Sequence, residues 1–204
     1  LRNMDRGPKV VVLGAGSYFF GKPVIYNMIT SPILRNGTLA LVDTDPLVLE
    51  TMMKIARRAK EAAGAPLTLE GSTDRLEVMK GADFVVLSFS YRNAYYRMCS
   101  SDTIGPGGIF RALRELPEIL RIADDVRRLA PEAWLINFIN PTSVMGIALM
   151  RHAADVKSFA LCDGNHMPYV RAMYLRQLGI LPEGTEGAPP EMDEKFDLQI
   201  AGVS

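Results

Sequence analysis

Eight residues, Val10-Val11-Val12-Leu13-Gly14-Ala15-Gly16-Ser17, constrain the fold of this chain more than any other stretch. An apolar run without polar alternation predicts a strand buried on both faces, as at the centre of a parallel sheet covered by helices. Gly14 and Gly16 come next, and glycine allows both a sharp turn and a close approach of backbone to a ligand, with the amide donors of a following helix suited to a diphosphate. The third glycine of a GxGxxG pattern is missing, because Phe19 stands in its place. A plain β-to-α turn would use the same glycines, so the dinucleotide reading also draws on the next strand. Thr38-Leu39-Ala40-Leu41-Val42 ends at Asp43, with Asp45 close by. A carboxylate at that tip accepts hydrogen bonds from the ribose hydroxyls of NAD and repels the extra phosphate of NADP, an exclusion that Lys22 would soften.

The charge balance narrows the partners. Lys and Arg together number 23, as do Asp and Glu, so no net field draws the chain to nucleic acid or to an anionic membrane. A small molecule is the expected partner. No apolar run approaches a membrane span, and the N-terminus lacks the charged-then-apolar pattern of a signal peptide. Cys99 and Cys162 have no spacing that suggests a disulfide framework, which makes a cytoplasmic location the expectation.

Strand and helix patterns alternate along the chain, predicting an α/β fold with a Rossmann-type, doubly wound parallel sheet. Phe20, Val24, Ile25, Met28 and Ile29 recur at helical spacing, with Gly21 and Pro23 implying a late start and Ser31-Pro32 a stop. Asp45-Pro46 reads as a cap and first helical position, opening a helix to about Ala63. Leu67 to Leu69 predicts a short third strand, Thr73-Asp74 caps a brief helix ending at Gly81, and Phe84 to Leu87 predicts a fourth strand. A long amphipathic helix is expected over Ile109 to Leu129, strand five over Ala133 to Ile136 and strand six over Ser158 to Leu161. Beyond these, a helix through Val170 and Leu178 and a strand over Phe196 to Ala201 are expected. Residues 1–165 form the dinucleotide-binding domain on this reading, and 166–204 begin an α+β substrate domain.

Three places at the C-terminal edge of such a sheet are rich in chemistry. The stretch from Ser88 to Phe110 is polar and aromatic, with Ser88, Arg92 and Arg97, and then Gly105-Pro106-Gly107-Gly108 ahead of the long helix. A surface loop and a bare turn would use the same residues. Pro141 holds Asn140 extended, and Ser143 is placed to cap the next helix, which leaves the Asn140 amide displayed toward a ligand; an Asn cap is the alternative. Cys162-Asp163-Gly164-Asn165-His166 gathers a thiol, a carboxylate and an imidazole. Cys162 and His166 could ligate a divalent metal or the group could transfer protons, although two ligands are too few without a third; a buried cysteine beside a helix cap is the structural alternative.

Taken together, Gly14-Ala15-Gly16-Ser17, Asp43-Thr44-Asp45, Ser72-Thr73-Asp74, Gly81-Ala82-Asp83-Phe84-Val85, Gly105-Pro106-Gly107-Gly108, Asn140-Pro141 and Leu161-Cys162 resemble, in order and spacing, glycoside hydrolase family 4. These are glycosidases that use NAD and a divalent metal, here expected to be manganese. The resemblance implies the architecture of lactate and malate dehydrogenases and a homo-oligomer. It also implies a reaction in which NAD oxidises the sugar at C3, the C2 proton is removed, the glycosidic oxygen leaves by elimination, water adds, and the cofactor is restored. By the same resemblance Gly14, Gly16, Ser17, Asp43 and Ser88 hold NAD, Arg97 and Asn140 contact sugar, Cys162 ligates the metal, and Asp163 protonates the leaving oxygen.

The chain departs from the family pattern in three ways. Between Tyr96 and Asp102 it is about a dozen residues shorter. The family's histidine metal ligand would fall just past Ser204, and its tyrosine base further on in the second domain. The Asp163-Gly164 pair is similar to the α-acting branch and to members cleaving α-linked uronic acids, where Arg92 or Arg97 would pair with the uronate carboxylate. Unphosphorylated α-glucosides and α-galactosides compete with that expectation. Outside the family, a hydroxy-acid dehydrogenase of the malate and lactate type or a non-catalytic NAD-binding module would share the same sheet.

Overall fold

The structure is a computed structural model and describes residues 7–17, 20–90, 103, 105–162 and 167–182. The chain divides into two compact units, Leu1–Ala160 and Leu161–Ser204. In the first, six strands alternate with helices: β1 (Lys9–Leu13), α1 (Gly21–Thr30), β2 (Thr38–Val42), α2 (Pro46–Ala62), β3 (Thr68–Ser72), α3 (Arg75–Met79), β4 (Phe84–Leu87), α4 (Gly105–Leu129), β5 (Trp134–Asn137), α5 (Thr142–His152) and β6 (Ser158–Ala160). The strands form one sheet in the order β3-β2-β1-β4-β5-β6, and every pairing is parallel. The order reverses between β1 and β4, so the connections leave β1 in one direction and β4 in the other. That divergence opens a crevice beyond the strand C-termini, the place where doubly wound sheets bind ligands.

Alternation of side chains along each strand divides the core in two. Val10, Val12, Leu39, Leu41 and Val86 point to one face and pack with Ile25, Met28 and Ile29 of α1 and with Met52, Met53 and Ala56 of α2. Val11, Leu13, Val85, Leu87 and Leu135 point to the other, against Met79 of α3, Ile119, Ile122 and Val126 of α4, and Met145 and Leu149 of α5. Both layers are apolar because a central parallel strand has no solvated face. The α/β doubly wound reading is therefore correct, and most elements lie where periodicity puts them. Asp45 caps α2 through its carboxylate, which accepts from Leu47 N and Val48 N, with Pro46 in the first turn as expected.

Elsewhere the structure corrects the expectation. β3 covers Thr68–Ser72 rather than Leu67 to Leu69, because it pairs residue for residue with β2, from Thr38 with Thr68 to Val42 with Ser72. Glu70 and Gly71 look like turn residues in isolation, yet the neighbouring ladder keeps them extended, and Lys9 Nζ pairs with Glu70 Oε2 at 2.8 Å. α4 begins at Gly105, so the glycine-rich run is its first turn and not a loop ahead of it. Burial of Gly108, Arg111 and Ala112 there outweighs the poor helix propensity of glycine. Ser143 does not cap α5: the helix begins at Thr142 after Pro141, without a side-chain cap.

The second unit contains α6 (Met167–Gln177), whose Ala172 and Leu175 pack with Leu181. The strand expected over 196–201 lies outside the described residues. Among the described residues, no helix is long and apolar enough to cross a membrane.

Leu135 is wholly buried in β5 between β4 and β6. Leu135→Ala is expected to lower unfolding free energy by about 2–5 kcal/mol, read as a lower urea midpoint with an unchanged slope.

Candidate functional site

The crevice begins with the turn after β1. Gly14 N and Ala15 N both donate to Val42 O, at 2.9 and 3.0 Å, and Ser17 N closes the turn by donating to Gly14 O at 3.0 Å. Gly14 has φ +87°, and a Cβ there would stand 2.7 Å from the Phe89 backbone. Glycine is thus required at this position on two independent grounds, conformation and space. Gly16 N donates to Asp43 Oδ2 at 2.9 Å, and a Cβ on Gly16 would lie 2.2 Å from Val48 Cγ1. The glycines let the β1 turn lie directly against the exit of β2.

Asp43 is fixed by this arrangement. Oδ2 accepts from Gly16 N and Oδ1 accepts from Asp45 N at 3.1 Å. Each carboxylate oxygen has a second lone pair, so the half-buried group retains acceptor capacity toward a ligand. On the other side of β1, Ser88 Oγ lies 3.3 Å from Leu13 O and 3.1 Å from Gly14 O, toward which its hydroxyl donates. Farther along, the buried Asn137 side chain donates to Ile139 O at 3.0 Å and accepts from Ile139 N at 3.2 Å, shaping the exit of β5. Asn140 follows across a cis peptide to Pro141, and its Oδ1 accepts from Thr142 Oγ1 at 2.7 Å.

These side chains line a cavity of about 930 Å3, whose walls include Gly14, Ser17, Asp43, Ser88 and Asn140. Its volume is in the range of small-molecule and cofactor sites. Phe20 and Phe138, also in the lining, stack with ring centroids 4.9 Å apart. Four of the five residues expected to hold the cofactor therefore meet at one space, and the fifth, Gly16, orients Asp43. Arg92, Arg97, Asp163 and His166 lie outside the described residues. Cys162 is described in the second unit, where it is exposed. Among the described residues, no group of three or more His, Cys, Asp and Glu side chains is arranged to hold a metal ion.

The family described as Family 4 glycosyl hydrolase matches residues 9–181, which takes in the whole sheet and its crevice. The chain belongs to that family. A protein of Bacillus subtilis (strain 168) named "Probable 6-phospho-beta-glucosidase" is 34% identical over 184 residues, covering 78% of this chain and 39% of its own length. The alpha-galacturonidase of Thermoanaerobacter italicus is 29% identical over 170 residues, covering 76% of this chain and 36% of its own length. The chain thus spans well under half the length of these family 4 relatives. A solved 6-phospho-alpha-glucosidase from gut microorganisms, in complex with NAD and Mn2+, superposes with a TM-score of 0.71 at 21% identity, over 85% of this chain and 42% of that one.

Sequence reasoning missed the charged wall of this family 4 crevice. Arg75, Arg111 and Glu118 all line it. Arg111 and Glu115 are 4% and 0% exposed on α4, with Arg111 Nε 3.9 Å and Arg114 Nη2 3.7 Å from Glu115 Oε1. A signal was available: Arg111, Glu115, Glu118 and Ile122 recur at i, i+4, i+7 and i+11, a stripe beside the apolar one on α4.

Gly14→Ala is expected to destabilise the chain by about 1–3 kcal/mol, since it imposes both a disfavoured φ and an overlap with Phe89. Thermal melting measures the loss, and amide chemical shifts in the variant should move most around Gly14, Val42 and Phe89.

Proposed function

We propose that this chain carries the cofactor site of an NAD- and divalent-metal-dependent glycosidase that hydrolyses α-linked glycosides, with α-galacturonides or α-glucuronides as the preferred class. The observation that carries the reading is the convergence of the Gly14 turn, Asp43, Ser88 and Asn140 on one cavity in a chain of family 4. Relatives named alpha-galacturonidase, one of them 35% identical over 141 residues, support the substrate class. The α-acting branch is favoured by Asp163-Gly164 directly after Cys162.

Gly14 and Gly16 let the turn pack against Phe89 and Val48 where a Cβ would overlap, which keeps its backbone at the crevice for a diphosphate, and Asp43 holds a ribose. NAD, when bound, would supply reversible hydride chemistry at sugar C3 with no net change in the cofactor. Asn140 has both a donor and an acceptor with which to orient a nicotinamide ribose or a sugar hydroxyl. The stacked rings of Phe20 and Phe138 give the same space an apolar wall. Asp163 protonates the leaving oxygen, and Arg92 or Arg97 pairs with the uronate carboxylate. Cys162, with His166, is proposed as part of a manganese site, consistent with the Mn2+ complex of the 6-phospho-alpha-glucosidase.

Assays of the intact protein with NAD, Mn2+ and a reductant on aryl α-galacturonide, α-glucuronide, α-galactoside and α-glucoside test the proposal. Release of the aryl alcohol from a uronide without net NADH is the expected outcome. Turnover confined to the neutral glycosides overturns the uronide assignment, whereas stoichiometric NADH would instead indicate a dehydrogenase. Asp43→Asn should weaken NAD about ten- to hundredfold and narrow its advantage over NADP, as measured by titration of both cofactors.

A further inference from the structure

The Arg75 guanidinium is held by its edges. Nη1 donates to Glu118 Oε1 at 2.8 Å, Nε donates to Asp125 Oδ2 at 2.9 Å, and Nη2 is 2.8 Å from the same oxygen. The two carboxylates come from α4, about two helical turns apart, while Arg75 opens α3. Bonds made by a guanidinium lie in its plane, so with three of its five N–H donors taken up by the two carboxylates the plane of Arg75 is fixed and its flat faces are left to offer a ligand. Arg75 and Glu118 both line the cavity, and so does Ile122, four residues along α4 from Glu118.

Position in the sheet says which part of a dinucleotide would meet that face. β2 and β3 run side by side with Val42 opposite Ser72, so Asp43 and Thr73 are neighbouring strand exits. A dinucleotide laid across the crevice puts one half on each side of β1. With Asp43 on the ribose of the adenosine half, the adenine extends toward β3, where Thr73, Asp74 and Arg75 line the wall. Ser88 and Asn140 lie on the opposite side of β1.

We propose that Arg75, clamped edge-on by Glu118 and Asp125, presents its guanidinium face as the stacking platform for the adenine ring. This rests on the NAD reading given above and deepens it. A planar cation over a purine gains cation–π and stacking contact without breaking its ion pairs. The two carboxylates keep the plane fixed before the ligand arrives, so little side-chain freedom is lost on binding. A lysine at this position would keep the charge and lose the plane.

The test uses ADP-ribose and nicotinamide mononucleotide, the two halves of the cofactor, with NMR of the arginine Nε–H groups. The Arg75 resonance, assigned by its disappearance in Arg75→Lys, should move upfield on addition of ADP-ribose, as a proton over a ring face does, and stay in place with nicotinamide mononucleotide. In the Arg75→Lys protein, ADP-ribose should bind roughly tenfold more weakly, with nicotinamide mononucleotide unaffected. Binding of ADP-ribose without an upfield shift of Arg75 overturns the stacking role and leaves the cofactor reading standing. Failure of ADP-ribose to bind the unaltered protein overturns both. The shift is read on unaltered protein, where nuclear Overhauser contacts from the Arg75 Nε–H to side chains of α3 and α4 give the same assignment, so it remains decisive if the variant folds poorly.

Discussion

The bonds from Gly14 N and Ala15 N to Val42 O join the exit of β1 to the exit of β2, and the site depends on that junction. They bring Gly16 N to Asp43 Oδ2, which in turn fixes a carboxylate at the mouth of the crevice. The junction tolerates no side chain at Gly14 or Gly16, because Phe89 and Val48 already fill the adjacent space. Sheet order supplies the rest: β1 is flanked by β2 and β4, so Asp43 on one side and Ser88 on the other face the same cavity. A ligand site at a switch point is thus a consequence of backbone pairing, with side chains refining what it takes.

Much of this was legible because it is local. A run such as Val10 to Leu13 followed by Gly-x-Gly can serve few roles, and Asp45-Pro46 announces α2 by the chemistry of its first turn. What was not legible is set by partners distant in sequence. The extent of β3 through Glu70 and Gly71 is dictated by β2, and the helical state of Gly105 to Gly108 by packing of α4 on the sheet. Ser143 lost its capping role because Pro141 and Thr142 already start the helix, with Thr142 Oγ1 turned to Asn140. Of the side chains expected to touch sugar and metal, Arg92, Arg97 and His166 fall outside the described residues, Asn140 lines the cavity, and Cys162 is exposed.

The charged wall contributed by α3 and α4 illustrates a different limit. Arg75, Glu118 and Asp125 come together from helices separated in the chain, so periodicity marks each as polar but not as mutual partners. Their side chains are 26%, 18% and 13% exposed, and pairing at that depth is what keeps the charges compatible with the fold. The same ion pairs join α3 to α4 along the wall of the crevice.

Calorimetric titration of the unaltered protein with NAD and then NADP tests whether this crevice is the proposed dinucleotide site selective for NAD. One NAD bound per chain is expected, with NADP markedly weaker if Asp43 holds the adenosine ribose as proposed. Absence of NAD binding, or equal affinity for the two cofactors, would contradict it.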